Sequence, residues 1–276
     1  MDVLSAGSRA RILAIAQKDA ADLVRRPGAI LPAITMVFGA LIPAFVVVIG
    51  APMLAGETLA QSGEFADEAR AALSVLPELT GLSLDAQIQA FLFHQFALLL
   101  LLVPVVGAMA LATHAVIGEK QARALEPLLA TPLSTVELLA AKTLTPLVFA
   151  VALTWISLGL YIAGIVGVGE PGVWQAVVTG RTLVMFGALG PLVGLAALQL
   201  AVIVSSRAND PRSAQQIASL MIVPITAVFV GQMLGAYVIG TTALVLGCLG
   251  CLVLNGLLAW VGIRVFDRET ILMRWK

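Results

Sequence analysis

The side chains that could do chemistry here are few and unevenly spread. Only 12% of the 276 residues are charged. Six of those charges fall in one stretch, GEKQARALEPLLATPLSTVELLAAK, residues 118–142. Glu119, Lys120, Arg123 and Glu126 mix with leucine at helical spacing, which suits a short helix lying on or just below a membrane surface. Pro127 and Pro132 make the chain turn there instead of continuing as one rod. Ser134 and Glu137 have the spacing of a capping box that would open the next helix. A surface of this kind can be gripped by another protein, although the charges alone favour a solvated loop.

The apolar remainder holds few polar groups. His94 and Gln95 fall near one end of the second apolar run, and His114 near its other end. An ionisable group inside a membrane is a candidate for substrate contact, because lipid offers it no partner. These three residues are therefore the candidate substrate path. Gln199, Gln232 and Asn255 are uncharged and suit hydrogen bonds across helices. The absence of Asp, Glu or Lys deep in any apolar run speaks against a proton- or sodium-coupled carrier. Cys248 and Cys251 are separated only by Leu249 and Gly250, with no second ligand pair, so no metal site is expected. The sequence has no G-x-x-x-x-G-K-[ST] loop to cradle a nucleotide. The chain is accordingly expected to be no enzyme, and to bind no cofactor itself.

The elements that must position these groups are membrane helices. With 60% hydrophobic residues and a mean hydropathy of +1.01, the chain has too little polar surface for a soluble domain. Its long apolar runs lack the alternation of a barrel, so they read as spans of about 20 residues each. The formal net charge of zero and the lack of a basic tract exclude nucleic acid as a partner. The expected architecture is an all-α membrane protein with six transmembrane helices, about 28–50, 91–117, 136–168, 182–206, 217–237 and 241–263. An amphipathic interfacial helix over 9–26 precedes them, with Arg11, Lys18, Asp22 and Arg25 on one face and Ile12, Leu13, Ala16, Ala20, Leu23 and Val24 on the other. A secretory signal is the competing reading of this segment. It is disfavoured because Lys18, Asp19 and Asp22 interrupt the apolar core.

Fourteen of the 16 basic residues gather on one side of this arrangement, and only Arg70 and Arg181 lie on the other. Positively charged loops stay in the cytoplasm. Both termini, segment 118–135, the loop around Arg207 and Arg212, and the tail 264–276 are therefore expected to be cytoplasmic. The polar, acidic connection 51–90 is expected outside. The whole chain, 1–276, reads as a single transmembrane domain.

Residue order in the charged stretch resembles the permeases of type II ATP-binding-cassette exporters, the drug, polysaccharide and sodium exporter group. The matching residues are Glu119, Lys120, Leu125, Glu126, Leu128, Leu129, Thr131, Pro132, Leu133, Ser134, Glu137 and Lys142. Arg123–Ala124 stands where the family has Gly-Thr, and Ala141 stands where it has Gly. The resemblance implies a permease subunit in a bacterial plasma (inner) membrane, with a short cytoplasmic coupling helix between spans two and three. Glu119, Lys120, Arg123 and Glu126 would be its docking residues for a separate cytoplasmic ABC ATPase, which would hold the ATP and magnesium. It further implies a second copy of the chain, or a related permease, surrounded by membrane lipids. The rival readings are an ATP-independent carrier or channel, and a non-transporting assembly scaffold. No substrate is singled out.

Overall fold

The computed structural model describes residues 17–18, 21, 27–62, 65–121, 135–207, 216, 219–235 and 237–265, and all regular structure among them is helical. Helix α1 covers 27–55, as Pro27–Phe45, a π turn Val46–Gly50 and a closing turn Ala51–Ala55. Two short helices follow, α2 (Leu59–Ser62) and α3 (Ala66–Ala72), and then a 3-10 turn Pro77–Leu79. Helix α4 covers 84–121, as Leu84–Ala97, a 3-10 turn Leu98–Leu101 and Leu102–Gln121. Next come α5 (Thr135–Val168) and the short α6 (Val173–Val177). Helix α7 covers 180–207, as Gly180–Val184, a π turn Met185–Leu189 and Gly190–Arg207. A 3-10 turn Ser219–Met221 leads into α8 (Ile222–Met233), and α9 is Thr241–Val265.

The departures from α geometry follow proline. Proline has no amide hydrogen, and its ring collides with the carbonyl four residues back. Pro52, Pro104, Pro191 and Pro224 each lie two or three residues after a π or 3-10 turn, where the backbone has re-paired around that defect. Pro32, Pro43 and Pro146 sit inside continuous α-helix.

Five helices are long and apolar enough to cross a membrane: Ile30–Ala55, Leu84–Ala112, Thr143–Val168, Gly180–Ser205 and Thr241–Arg264. The expected span over 217–237 corresponds to α8, whose 12 residues reach only about 18 Å. It stops early because Gly235 turns left-handed, with φ of +70°, and closes the helix end. Tyr237 then folds back, and its hydroxyl donates to the Val228 carbonyl at 3.0 Å.

Helix α4 is the axis of the bundle, with α1, α5, α7 and α8 packed around it. Small residues allow the closest approaches. Gly107 of α4 faces Ala33 of α1 and Ala150 of α5, so that a Cβ there would lie 3.5 and 3.7 Å from their methyl carbons. Gly194 of α7 lies against Pro104, where an added Cβ would come within 3.1 Å. The sequence holds two G-x-x-x-G pairs, of which Gly190 and Gly194 bring α7 against α4. Gly231 and Gly235 instead serve the local turn, Gly231 lying under the Tyr237 ring. Higher in the bundle, Phe45, Phe93 and Tyr161 pack with ring centroids 5.4–5.7 Å apart. The buried Tyr161 hydroxyl donates to the Phe93 carbonyl at 2.7 Å, which ties α5 to α4.

Segment 51–90 differs from the polar connection expected of it. Its first residues complete α1 and its last begin α4. Ser83 caps α4 by accepting from the Ala86 amide at 3.2 Å, and Asp85 in the first turn accepts from the Ala60 amide at 2.8 Å. Between them, α2, α3 and the 3-10 turn bury Leu59, Ala66, Ala69, Ala72, Leu76 and Leu79 as a lid on the bundle. The amphipathic segment 9–26, apart from Gln17, Lys18 and Ala21, and the tail beyond Val265 lie outside the described residues.

Candidate functional site

At the end of the bundle under this lid, three helices contribute polar side chains to one small cavity of about 30 Å³. Helix α4 supplies His94 and Gln95, α7 supplies Arg181 and Thr182, and α8 supplies Gln232, while Leu76 and Ile239 are among the apolar walls. Local irregularity places two of these elements. The 3-10 turn that begins at Leu98 and the π turn that begins at Met185 both border the cavity.

Gln95, Arg181 and Gln232 are each anchored on one side and open on another, while His94 and Thr182 are anchored to backbone carbonyls. His94 Nε2 lies 2.8 Å from the Ala176 carbonyl. A carbonyl only accepts, so Nε2 carries a hydrogen and donates it. Gln232 Nε2 donates to Gln95 Oε1, which joins α8 to α4 across the cavity. The remaining amide atoms of that pair, Gln95 Nε2 and Gln232 Oε1, are buried without a partner. Arg181 donates through Nη2 to the Val75 carbonyl at 2.6 Å, and its buried Nε has no partner. Thr182 donates to the Val177 carbonyl within its own chain turn. The charge of Glu78, on the lid, acts on both Arg181 and His94. Among the described residues Arg181 makes no ion pair.

A second, open cavity of about 420 Å³ adjoins the first and is lined by Asp67, Glu68, Phe91, Tyr237 and others. Gln232 and Val238 line both spaces and form the wall between them. Asp67 is paired with Arg70 at 3.4 Å.

The structure thus brings His94 and Gln95 together and separates them from His114. That residue lies 20 positions further along α4, about 30 Å away on the helix axis, and its side chain lies outside the described residues. Of the expected docking residues, Glu119 and Lys120 fall in the last turn of α4, which runs on to Gln121. Their side chains, and all of Arg123 and Glu126, lie outside the described residues. No cluster of three or more metal-ligating side chains occurs among the described residues. Arg181 and Thr182 were not among the expected site residues. The signal that could have found Arg181 was its isolation, as one of only two basic residues on one side of the expected topology. Gln232 was expected to hydrogen-bond across helices, and it does.

A helical bundle with irregular turns and a polar pocket between spans suits a transporter, and family comparison decides which kind. A family model described as ABC-2 family transporter protein matches residues 13–249. The chain belongs to the ABC-2 transporter family. No curated protein matches it. The match covers α1 through α8 and the first part of α9, so the cavity lies wholly within the family's domain. This ABC-2 chain is a multi-pass membrane transport subunit.

Proposed function

We propose that the chain is the membrane-spanning subunit of an ATP-driven exporter, with ATP and magnesium held by a cytoplasmic ABC ATPase. The observation that carries this reading is the family match over 13–249. The missing nucleotide loop and the absence of acidic residues or lysine deep in the spans support it. The subunit itself catalyses no reaction. It sits in a bacterial plasma membrane with both termini cytoplasmic, crosses six times when α8 and its neighbouring residues count as the fifth crossing, and pairs with a second permease.

Glu119, Lys120, Arg123 and Glu126 dock the ATPase. Helix α4 supports a direct mechanical link. It carries His94 and Gln95 near one end and Glu119 and Lys120 near the other, 25 residues or about 37 Å apart. A push on the docking segment is passed along this helix to the polar cavity. The 3-10 turn at Leu98–Leu101 is the point at which it can flex.

Affinity purification from the native membrane in mild detergent, with an ATPase assay on the eluate, tests the reading. A stoichiometric Walker-loop protein with ATP turnover is the expected result. Reversing Glu119, Lys120 and Glu126 together should abolish ATPase binding while the spans stay folded. A lone, ATP-inert oligomer that still transports would overturn the proposal in favour of a carrier. One that transports nothing would favour a scaffold.

A further inference from the structure

We infer that the cavity between His94, Gln95, Arg181 and Gln232 is a substrate site for a carboxylate group on an amphoteric molecule, amino-acid- or peptide-like. The molecule's cationic end rests against Glu68 in the adjoining open vestibule. As a statement about substrate class, the inference rests on the transport reading above.

Three observations carry it. The first is the set of unused hydrogen-bonding atoms. Gln95 and Gln232 are 2% and 6% exposed, yet Gln95 Nε2 and Gln232 Oε1 have no partner, nor does the buried Arg181 Nε. Buried polar atoms are almost always satisfied, so each unsatisfied one points to a missing partner. Among the residues that line the cavity the unused set is two donors, one of them on a cation, and one acceptor; Glu78 Oε2, buried on the lid outside the lining, is also unpartnered, and its charge acts on Arg181. A carboxylate takes both donors, and a guanidinium is the side chain best suited to hold one. The Gln232 acceptor suits an N–H close to that carboxylate.

The second observation is size. A cavity of about 30 Å³ has room for roughly two water-sized groups, which fits the two oxygens of a carboxylate and is tight for the four of a phosphate. The third is continuity. Gln232 is wall to both spaces, so a ligand whose carboxylate is seated in the inner cavity extends past Gln232 into the vestibule of about 420 Å³. There Asp67 is already paired with Arg70, whereas Glu68 makes no hydrogen bond or ion pair among the described residues. Glu68 is the carboxylate left for the ligand's ammonium.

The Gln95–Gln232 bond then acts as a latch. A ligand must part these two amides, or enter beside them, to reach Arg181. Because the pair joins α8 to α4, occupancy is felt by the helix that leads to the docking segment.

The test is equilibrium binding of labelled Ala-Lys, and of free lysine, to the full chain in lipid nanodiscs without ATP or any partner. Binding of at least one probe is expected. Capping its carboxylate as the amide should weaken binding about tenfold or more, the value of a charge-assisted hydrogen-bond pair. Arg181→Gln and Gln95→Leu should each do the same. Glu68→Gln should cost about threefold, as befits an exposed ion pair. Thermal unfolding of each variant checks folding, and the amide comparison on the unaltered chain needs no variant. Binding of neither probe, or equal binding of acid and amide, overturns the inference. If it fails while an ATPase co-purifies and turns over ATP, the exporter reading stands alone. If binding holds and no ATPase is found, the site stands and the exporter reading falls.

Discussion

Helices α4 and α9 are nearly indistinguishable by composition and opposite in circumstance. Their most apolar 18-residue windows have mean hydropathies of 2.3 and 2.2. All of the α4 window is buried inside the bundle, but only 11% of the α9 window is. Leu246, Leu249, Leu252, Val253 and Leu257 of α9 are exposed, whereas Phe93, Leu100, Val103 and Met109 of α4 are buried. In water such a difference would be written as amphipathicity, since an exposed leucine costs free energy. In lipid it is not, because the surroundings are as apolar as the core. What separates the two helices is fit. Around α4, glycine and alanine let neighbours approach, aromatic rings interlock and buried polar groups find cross-helix partners. Asn255 is the exception on α9, donating to the Leu192 carbonyl at 2.9 Å and so fixing the α9 face that meets α7.

The contrast can be broken by mutation, with unfolding measured in mixed micelles by denaturant titration. The largest effect is expected from Phe93→Ala. Its ring lies between Phe45 and Tyr161, and leaving that space empty should cost about 3–5 kcal/mol. Gly194→Leu, which drives a side chain into the Pro104 ring and backbone of α4, should cost about 1–3 kcal/mol through overpacking. Tyr161→Phe keeps the packing and removes the bond to the Phe93 carbonyl, for about 1 kcal/mol. Leu252→Ala on the exposed face of α9 should fall within about 0.5 kcal/mol of the unaltered protein. If Leu252→Ala costs as much as Phe93→Ala, the comparison fails. The α9 face would then be packed against a second permease in the membrane rather than against lipid.

Much of the fold is legible in the residues. The spans at 136–168 and 241–263 lie within one or two residues of their observed helices, because long apolar runs bounded by charge or glycine leave little freedom. The first and second were read too short for identifiable reasons. Ala51, Pro52 and Met53 extend α1 beyond Gly50 through a π turn that no hydropathy window registers. The Ser83 cap and Asp85 start α4 seven residues before its apolar stretch. The α8 region was read too long, since Gly235 in a left-handed turn ends the helix where hydropathy alone continues to Tyr237. The lid was missed because its apolar residues are short runs, half of them alanines, among charges, a weak signal until seen against α4.

The residues by themselves determined the class and the scale. Runs of some 20 apolar residues must be helices in lipid, where the backbone can satisfy itself in no other open form. The charged order at 118–142 and the absence of a nucleotide loop are likewise properties of the chain as written. Only the tertiary structure decided that α4 is the axis and α9 the rim. It alone put Arg181 and Gln232 beside His94 and Gln95, with Gln95 and Gln232 lying 137 positions apart in the chain. The physical reason is common to both. Hydropathy reports how readily a residue leaves water, and once every helix has left water, shape complementarity and the pairing of scarce polar groups decide which side chains meet.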